Sequence, residues 1–149
     1  MSRRRLAAAL GAAVLTLGLA ACGGSDNPVS VTDGPTASAA PSSGSSLEPA
    51  DFAAAVKVAG TTIIDVRTPE EFAAGHLKGA VNMDVENPAQ FQAQVAELDP
   101  TQTYALYCHT GNRSGVAKDY LTGAGFTSVY DLAGGIEAWS NDGGKAVTD

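Results

Sequence analysis

Tyr104-Ala105-Leu106-Tyr107-Cys108-His109-Thr110-Gly111-Asn112-Arg113-Ser114 is the stretch on which the reading of this chain turns. Its first four residues form a short apolar strand, which follows the turn Asp99-Pro100. From Ser114 to Gly123 the pattern is helical, with Val116, Tyr120 and Leu121 expected to face inward. The strand runs directly into Cys108, and small residues fill the gap before the helix. Such a gap lets the backbone curl so that several N–H groups converge on the cysteine. That is an anion nest, reinforced by the helix dipole. Arg113 adds a permanent positive charge at its rim. All three effects favour thiolate over thiol at Cys108, and the thiolate is the nucleophile.

The same alternation continues on both sides. Leu47 to Ala59 has the spacing of an amphipathic helix, and Thr61 to Val66 is a β-branched buried strand. Thr68-Pro69-Glu70-Glu71 predicts a capping box with proline at the first helical position, and Gly75 a C-cap. Ala80 to Met83 reads as a strand, and Pro88 to Leu98 as a helix presenting Phe91, Val95 and Leu98. Val129 to Leu132 is the next strand, and a closing helix starts at Ile136 to Trp139. Strands separated by helices imply an α/β fold with a mainly parallel sheet covered on both faces. Ligands in such sheets sit beyond the carboxyl ends of the strands. Asp65 and Arg67 lie near that edge and are expected to form a supporting ion-pair network, while His76 and Trp139 are expected to be structural.

The N-terminus reads as a targeting segment. Arg3, Arg4 and Arg5 precede sixteen uncharged residues, Leu6 to Ala21. That run is shorter than the roughly 20 apolar residues of a spanning helix, and its composition suits a secretory leader. Leu19-Ala20-Ala21-Cys22-Gly23 resembles the lipobox of bacterial lipoproteins. The resemblance implies cleavage after residues 1–21, lipid on the Cys22 sulfur, and a protein anchored at the extracytoplasmic face of the cell membrane. The alternative is an ordinary signal peptide cut near Ala21. Residues 22–46 then form a Gly/Ser/Pro-rich linker, expected to be flexible. Its 24 residues from Gly23 to Ser46 would reach roughly 25–30 Å as a coil. The folded domain is expected over residues 47–145, with residues 146–149 as a tail.

Charge narrows the partners. The chain carries a formal charge of -7, and without its leader six Lys and Arg face sixteen Asp and Glu, about -10. This disfavours nucleic acid, which needs clustered cations, and adhesion to anionic headgroups. Two cysteines, Cys22 and Cys108, make neither a disulfide framework nor a zinc pattern, so no metal is expected.

Beyond these local signals there is a resemblance. Residues 61 to 83, TTIIDVRTPEEFAAGHLKGAVNM, look like the front half of a rhodanese domain. Tyr107 to Ser114 is similar to that family's active loop, and Gly134-Gly135-Ile136-Glu137-Ala138-Trp139 to its closing motif. The resemblance implies a single-domain sulfurtransferase with a five-stranded, mainly parallel sheet. It assigns Cys108 as the catalytic residue and His109, Thr110, Gly111, Asn112, Arg113 and Ser114 as the loop that holds substrate. His109 could equally relay protons or point to solvent. Four residues separate Cys108 from Arg113, whereas cysteine-dependent phosphatases of this fold place five between Cys and Arg. The tighter ring suits a sulfur on Cys108 better than a phosphoryl group. The implied reaction is ping-pong: Cys108 takes a sulfane sulfur from a small donor such as thiosulfate, and a thiol or other nucleophile removes it. No cofactor is needed and no protein partner is indicated. The alternatives are a non-catalytic rhodanese-like binding module and a cysteine-dependent phosphatase or arsenate reductase.

Overall fold

The structure is a computed structural model that describes residues 28–149, so the leader, Cys22 and the start of the linker lie outside the described residues. Among the described residues five strands and five helices alternate: β1 (Ser46–Leu47), α1 (Pro49–Ala55), β2 (Thr61–Asp65), α2 (Pro69–Ala74), β3 (Val81–Asn82), α3 (Pro88–Ala96), β4 (Thr103–Tyr107), α4 (Asn112–Gly123), β5 (Ser128–Leu132) and α5 (Gly135–Asn141). The strands form one sheet in the order β1-β5-β4-β2-β3, and every pairing is parallel. The central strands are buried on both faces, as the unbroken apolar runs require. Tyr104, Leu106 and Cys108 join one core cluster with Phe91 and Val95 of α3 and Ala117 and Leu121 of α4. Ala105 and Tyr107 join the other, with Phe52 of α1 and Trp139 of α5. Period-two alternation along β4 thus sends neighbouring side chains into opposite layers.

The capping box forms as expected. Thr68 Oγ1 accepts from the Glu71 N–H, and a Glu71 carboxylate oxygen accepts from the Thr68 N–H. Four expectations need correction. Leu47 is a strand residue paired with Leu132, because Pro49 sets the first helical position of α1 and leaves residue 48 extended. In α4, Val116 and Tyr120 are exposed, and the inward face is Ser114, Ala117, Lys118 and Leu121. The stretch expected to be free linker is tied to the domain from Val29 onward. Val29 N–H donates to Asp142 O, Ala37 N–H to Ala54 O and Gly44 N–H to Val129 O. Lys57 Nζ donates to the Ser30 and Asp33 carbonyls, and Val29 and Val31 pack on the core. Two valines and a few backbone bonds hold what composition alone predicted to be solvated. The expected tail is also engaged, because Val147 exchanges backbone hydrogen bonds with His76.

Candidate active site

Cys108 is the first residue past β4, so the carboxyl end of the central strand delivers it to the sheet edge. The chain then turns through Gly111, whose φ of +95° lies where side chains other than glycine are strained. That turn aims the Gly111 N–H back at Cys108 Sγ, 3.1 Å away. Asn112, Arg113 and Ser114 open α4, where a helix leaves its N–H groups without intrahelical acceptors. Of the expected nest, one amide is seen directed at the sulfur, the Gly111 N–H at the N-cap of α4. Cys108 itself is only 1% exposed. Its neighbours His109 and Thr110 are exposed.

A second element clamps the same loop. Ile136 N–H donates to Cys108 O at 2.9 Å and Glu137 N–H to His109 O at 3.1 Å. The approach is close enough to exclude a side chain at Gly135: a Cβ there would lie 2.3 Å from His109 O and 2.5 Å from Cys108 O. The Gly134-Gly135-Ile136 segment is thus the bracket that fixes the backbone carrying the sulfur.

Arg113 does not meet the expectation that it faces the sulfur. Its guanidinium donates to both Glu71 carboxylate oxygens, at 2.7 and 2.8 Å, and to Glu86 at 2.7 Å. A planar fork satisfies a carboxylate at two points, and Glu71 stands ready at the first turn of α2. The pairing ties the loop to α2 and spends the charge there. Hydrogen bonding from Arg113 holds the Glu71 carboxyl down at about 2, and Glu71 in turn raises Arg113 above the usual guanidinium range. His109 is exposed and lies 3.9 Å from Glu71 and from Glu137, beyond hydrogen-bond reach.

Asp65 and Arg67 form the supporting network anticipated for them. Arg67 Nη2 meets Asp65 Oδ2 at 2.6 Å and also donates to Gly75 O at 2.6 Å. Asn82 Nδ2 donates to the carbonyls of both residues, which holds the ends of β2 and β3 together. Tyr107 Oη accepts from Leu77 N–H, and burial, then the neighbouring Asp65, push its phenol well above the ordinary range. His76 stacks on Phe72 at 3.8 Å and bonds Phe72 O through Nδ1, a structural placement as expected. Trp139 is buried in the core.

Sequence reasoning missed Lys118 and Asp131. Both are buried, their charged ends 2.8 Å apart, and Ser114 Oγ donates to the other Asp131 oxygen at 2.8 Å. The signal was present: an aspartate inside an apolar strand, and a lysine four residues after Ser114 on one helix face. Among the described residues no group of three or more His, Cys, Asp or Glu side chains is placed to hold a metal ion.

Comparison with known proteins agrees with this geometry. The profile of the Rhodanese-like domain family matches residues 48–142. The thiosulfate sulfurtransferase GlpE of Pseudomonas entomophila is 41% identical over 88 residues, covering 58% of this chain and 77% of that protein. The GlpE of Pseudomonas putida strain F1 is 43% identical over 84 residues, covering 56% and 73%. The crystal structure of a rhodanese-related protein from Thermoplasma volcanium superposes with a TM-score of 0.62 at 28% identity, covering 70% of this chain and 99% of that one.

Proposed function

The chain belongs to the rhodanese-like domain family, and on that premise we propose that it moves a sulfane sulfur from a donor such as thiosulfate to a thiol or other nucleophile through a persulfide on Cys108. That it is a rhodanese-like sulfurtransferase follows from its relatives. The persulfide route is carried by one observation: Cys108 Sγ sits at the end of a central strand, held by the Gly111 N–H at the opening turn of α4. In the first half-reaction the Cys108 thiolate attacks the outer sulfur of thiosulfate. The S–S bond breaks and sulfite leaves with the electron pair. The outer sulfur, now bonded to Sγ, carries negative charge whose stabilisation this reading assigns to the Gly111 N–H and the other N–H groups that open α4. An acceptor thiolate then attacks that sulfur, forms its own persulfide and returns Cys108 to the thiolate. Cysteine carries the transferred atom, so the scheme calls for no cofactor. His109 and Thr110 gate access, while Arg113 acts through Glu71 by fixing the loop.

Intact-mass measurement after exposure to thiosulfate tests this reading. The protein gains the mass of one sulfur atom, cyanide or a thiol removes it, and Cys108→Ser gains nothing. Wild-type protein that gains no sulfur from any sulfane donor would end the persulfide reading.

The lipobox-like segment supports a further part of the proposal, that Cys22 is lipidated and the domain is held at the extracytoplasmic face of the membrane. Metabolic labelling with a radiolabelled fatty acid tests it: label on the wild type and none on Cys22→Ala is expected, and an unlabelled wild type refutes it.

A further inference from the structure

Behind the cysteine loop lies a polar cluster that the sulfur chemistry does not use. Lys118 and Asp131 are 8% and 2% exposed. Lys118 Nζ donates to Asp131 Oδ1 at 2.8 Å and to Ser46 Oγ at 2.7 Å, and the Ser46 hydroxyl donates to the same Asp131 oxygen. The other oxygen, Oδ2, accepts from Ser114 Oγ, and Ser114 Oγ also lies 3.1 Å from Gly111 O. Gly111 is the residue whose N–H reaches Cys108 Sγ. A continuous set of contacts therefore runs from the edge strand β1 through a buried ion pair to the turn that presents the amides. Ser46 stands outside the matched family region, which starts at residue 48.

A buried ion pair is a poor source of stability, since apolar side chains of similar volume often do as well or better. It is a good source of fixed geometry. Asp131 belongs to β5 and Ser114 to the first turn of α4, so their bond sets how that turn sits against the sheet. Lys118, one helical turn further on, makes the same connection with a charge. We propose that Ser46, Lys118 and Asp131 are positioning residues for sulfur transfer: they hold Ser114, and with it the opening turn of α4, where the Gly111 N–H meets the Cys108 sulfur. The inference rests on the sulfurtransferase reading above. None of the three touches the reacting atoms.

The test uses three variants of the full chain and two readouts. Ser46→Ala removes one hydroxyl, and Ser46→Thr restores it. The double variant Lys118→Met/Asp131→Leu removes both charges together, so that neither is left buried alone. With thiosulfate as donor and cyanide as acceptor, Ser46→Ala is expected to lower kcat about fivefold and the double variant about tenfold or more. KM for thiosulfate should stay unchanged, and Ser46→Thr should turn over like wild type. The second readout is the rate at which iodoacetamide alkylates Cys108 without donor, which should shift in both Ser46→Ala and the double variant. A merely structural role would lower the melting temperature and leave kcat and alkylation untouched well below it. Wild-type kcat and alkylation in a folded Ser46→Ala and a folded double variant overturn the proposal. Should the double variant not fold, Ser46→Ala decides alone. If wild-type protein transfers no sulfur, the sulfurtransferase reading fails, and the alkylation rates still judge the positioning.

Discussion

Replacing Gly135 by alanine should damage both stability and turnover, and the structure says by how much. Gly135 has a φ of +61°. An L side chain in that region costs roughly 1–2 kcal/mol, partly offset by about 0.4–1 kcal/mol from a stiffer unfolded chain. The larger cost is contact. A Cβ would stand 2.3 Å from His109 O and 2.5 Å from Cys108 O, so α5 and the loop must part by about an ångström to reach van der Waals distance. That movement lengthens or breaks the bonds from Ile136 N–H to Cys108 O and from Glu137 N–H to His109 O, each contributing about 1 kcal/mol. The total loss is about 3 kcal/mol. Gly125→Ala is the control: its φ is +95° and nothing lies within 4 Å of its Cβ, so only the backbone cost of about 1 kcal/mol remains. Urea unfolding of both variants isolates the contact contribution as the difference, about 2 kcal/mol. Because the displaced carbonyls are those of Cys108 and His109, kcat for thiosulfate should also fall about 10- to 100-fold in Gly135→Ala and stay at wild type in Gly125→Ala. Equal stabilities for the two variants, with wild-type turnover in Gly135→Ala, would refute the idea that α5 brackets the cysteine loop.

Three other perturbations probe separate parts of the argument. Glu71 has its carboxyl lowered from 4.5 to about 2 by Arg113. Its contribution is therefore fully present above about pH 4.5 and is lost as pH falls toward about 2. Discounted for partial exposure, the contribution is about 1–2 kcal/mol. Urea midpoints at mildly and strongly acidic pH should fall further for wild type than for Glu71→Gln, and parallel curves would contradict the assignment. Arg113→Lys loses the two-point grip on Glu71, so stability should drop by about 1 kcal/mol while kcat changes by less than about threefold. A collapse of kcat would mean that the guanidinium reaches the sulfur after all. Tyr130 Oη is buried without a hydrogen-bond partner among the described residues, so Tyr130→Phe should leave stability unchanged or raise it by up to about 1 kcal/mol in thermal unfolding.

Most of the fold was legible because its signals are local. The apolar runs of β2, β4 and β5 give buried parallel strands whatever else the chain does. Thr68-Pro69-Glu70-Glu71 carries its own capping chemistry, and the structure shows both bonds of the box. The strand-to-cysteine-to-helix order placed Cys108 at the sheet's carboxyl edge from spacing alone. Two features escaped, each settled by contacts distant in sequence. The edge strand β1 is two residues long and lies in a Ser- and Gly-rich stretch, and only its pairing with Asp131 and Leu132 makes it a strand. Docking of residues 28–45 rests on partners near residues 54, 57, 129 and 142.

The error in α4 is the more instructive one, because the apolar pattern there pointed the wrong way. Val116 and Tyr120 are larger and more apolar than Lys118, so spacing alone turns them inward. The structure exposes both and buries the lysine. What reverses the helix is Asp131: a carboxylate in the centre of β5 cannot remain buried without a partner, and the stretch of α4 facing it supplies Ser114 and Lys118. Rotating α4 to bury Val116 and Tyr120 would remove both partners at once and strand the charge, a cost of roughly 3–5 kcal/mol. Complete burial of each of the two side chains stabilises by about 1.5–3 kcal/mol, but Tyr120, 41% exposed and 5.8 Å from the Phe91 ring, already keeps part of that, and the rotation would turn outward Ala117 and Leu121, now 0% and 1% exposed. The helix therefore settles on the face that pairs the aspartate. The orientation that pairs Asp131 also sets Ser114 against β5 and beside the Gly111 turn whose N–H meets the cysteine, so the residue that inverted the helix pattern also fixes one side of the site.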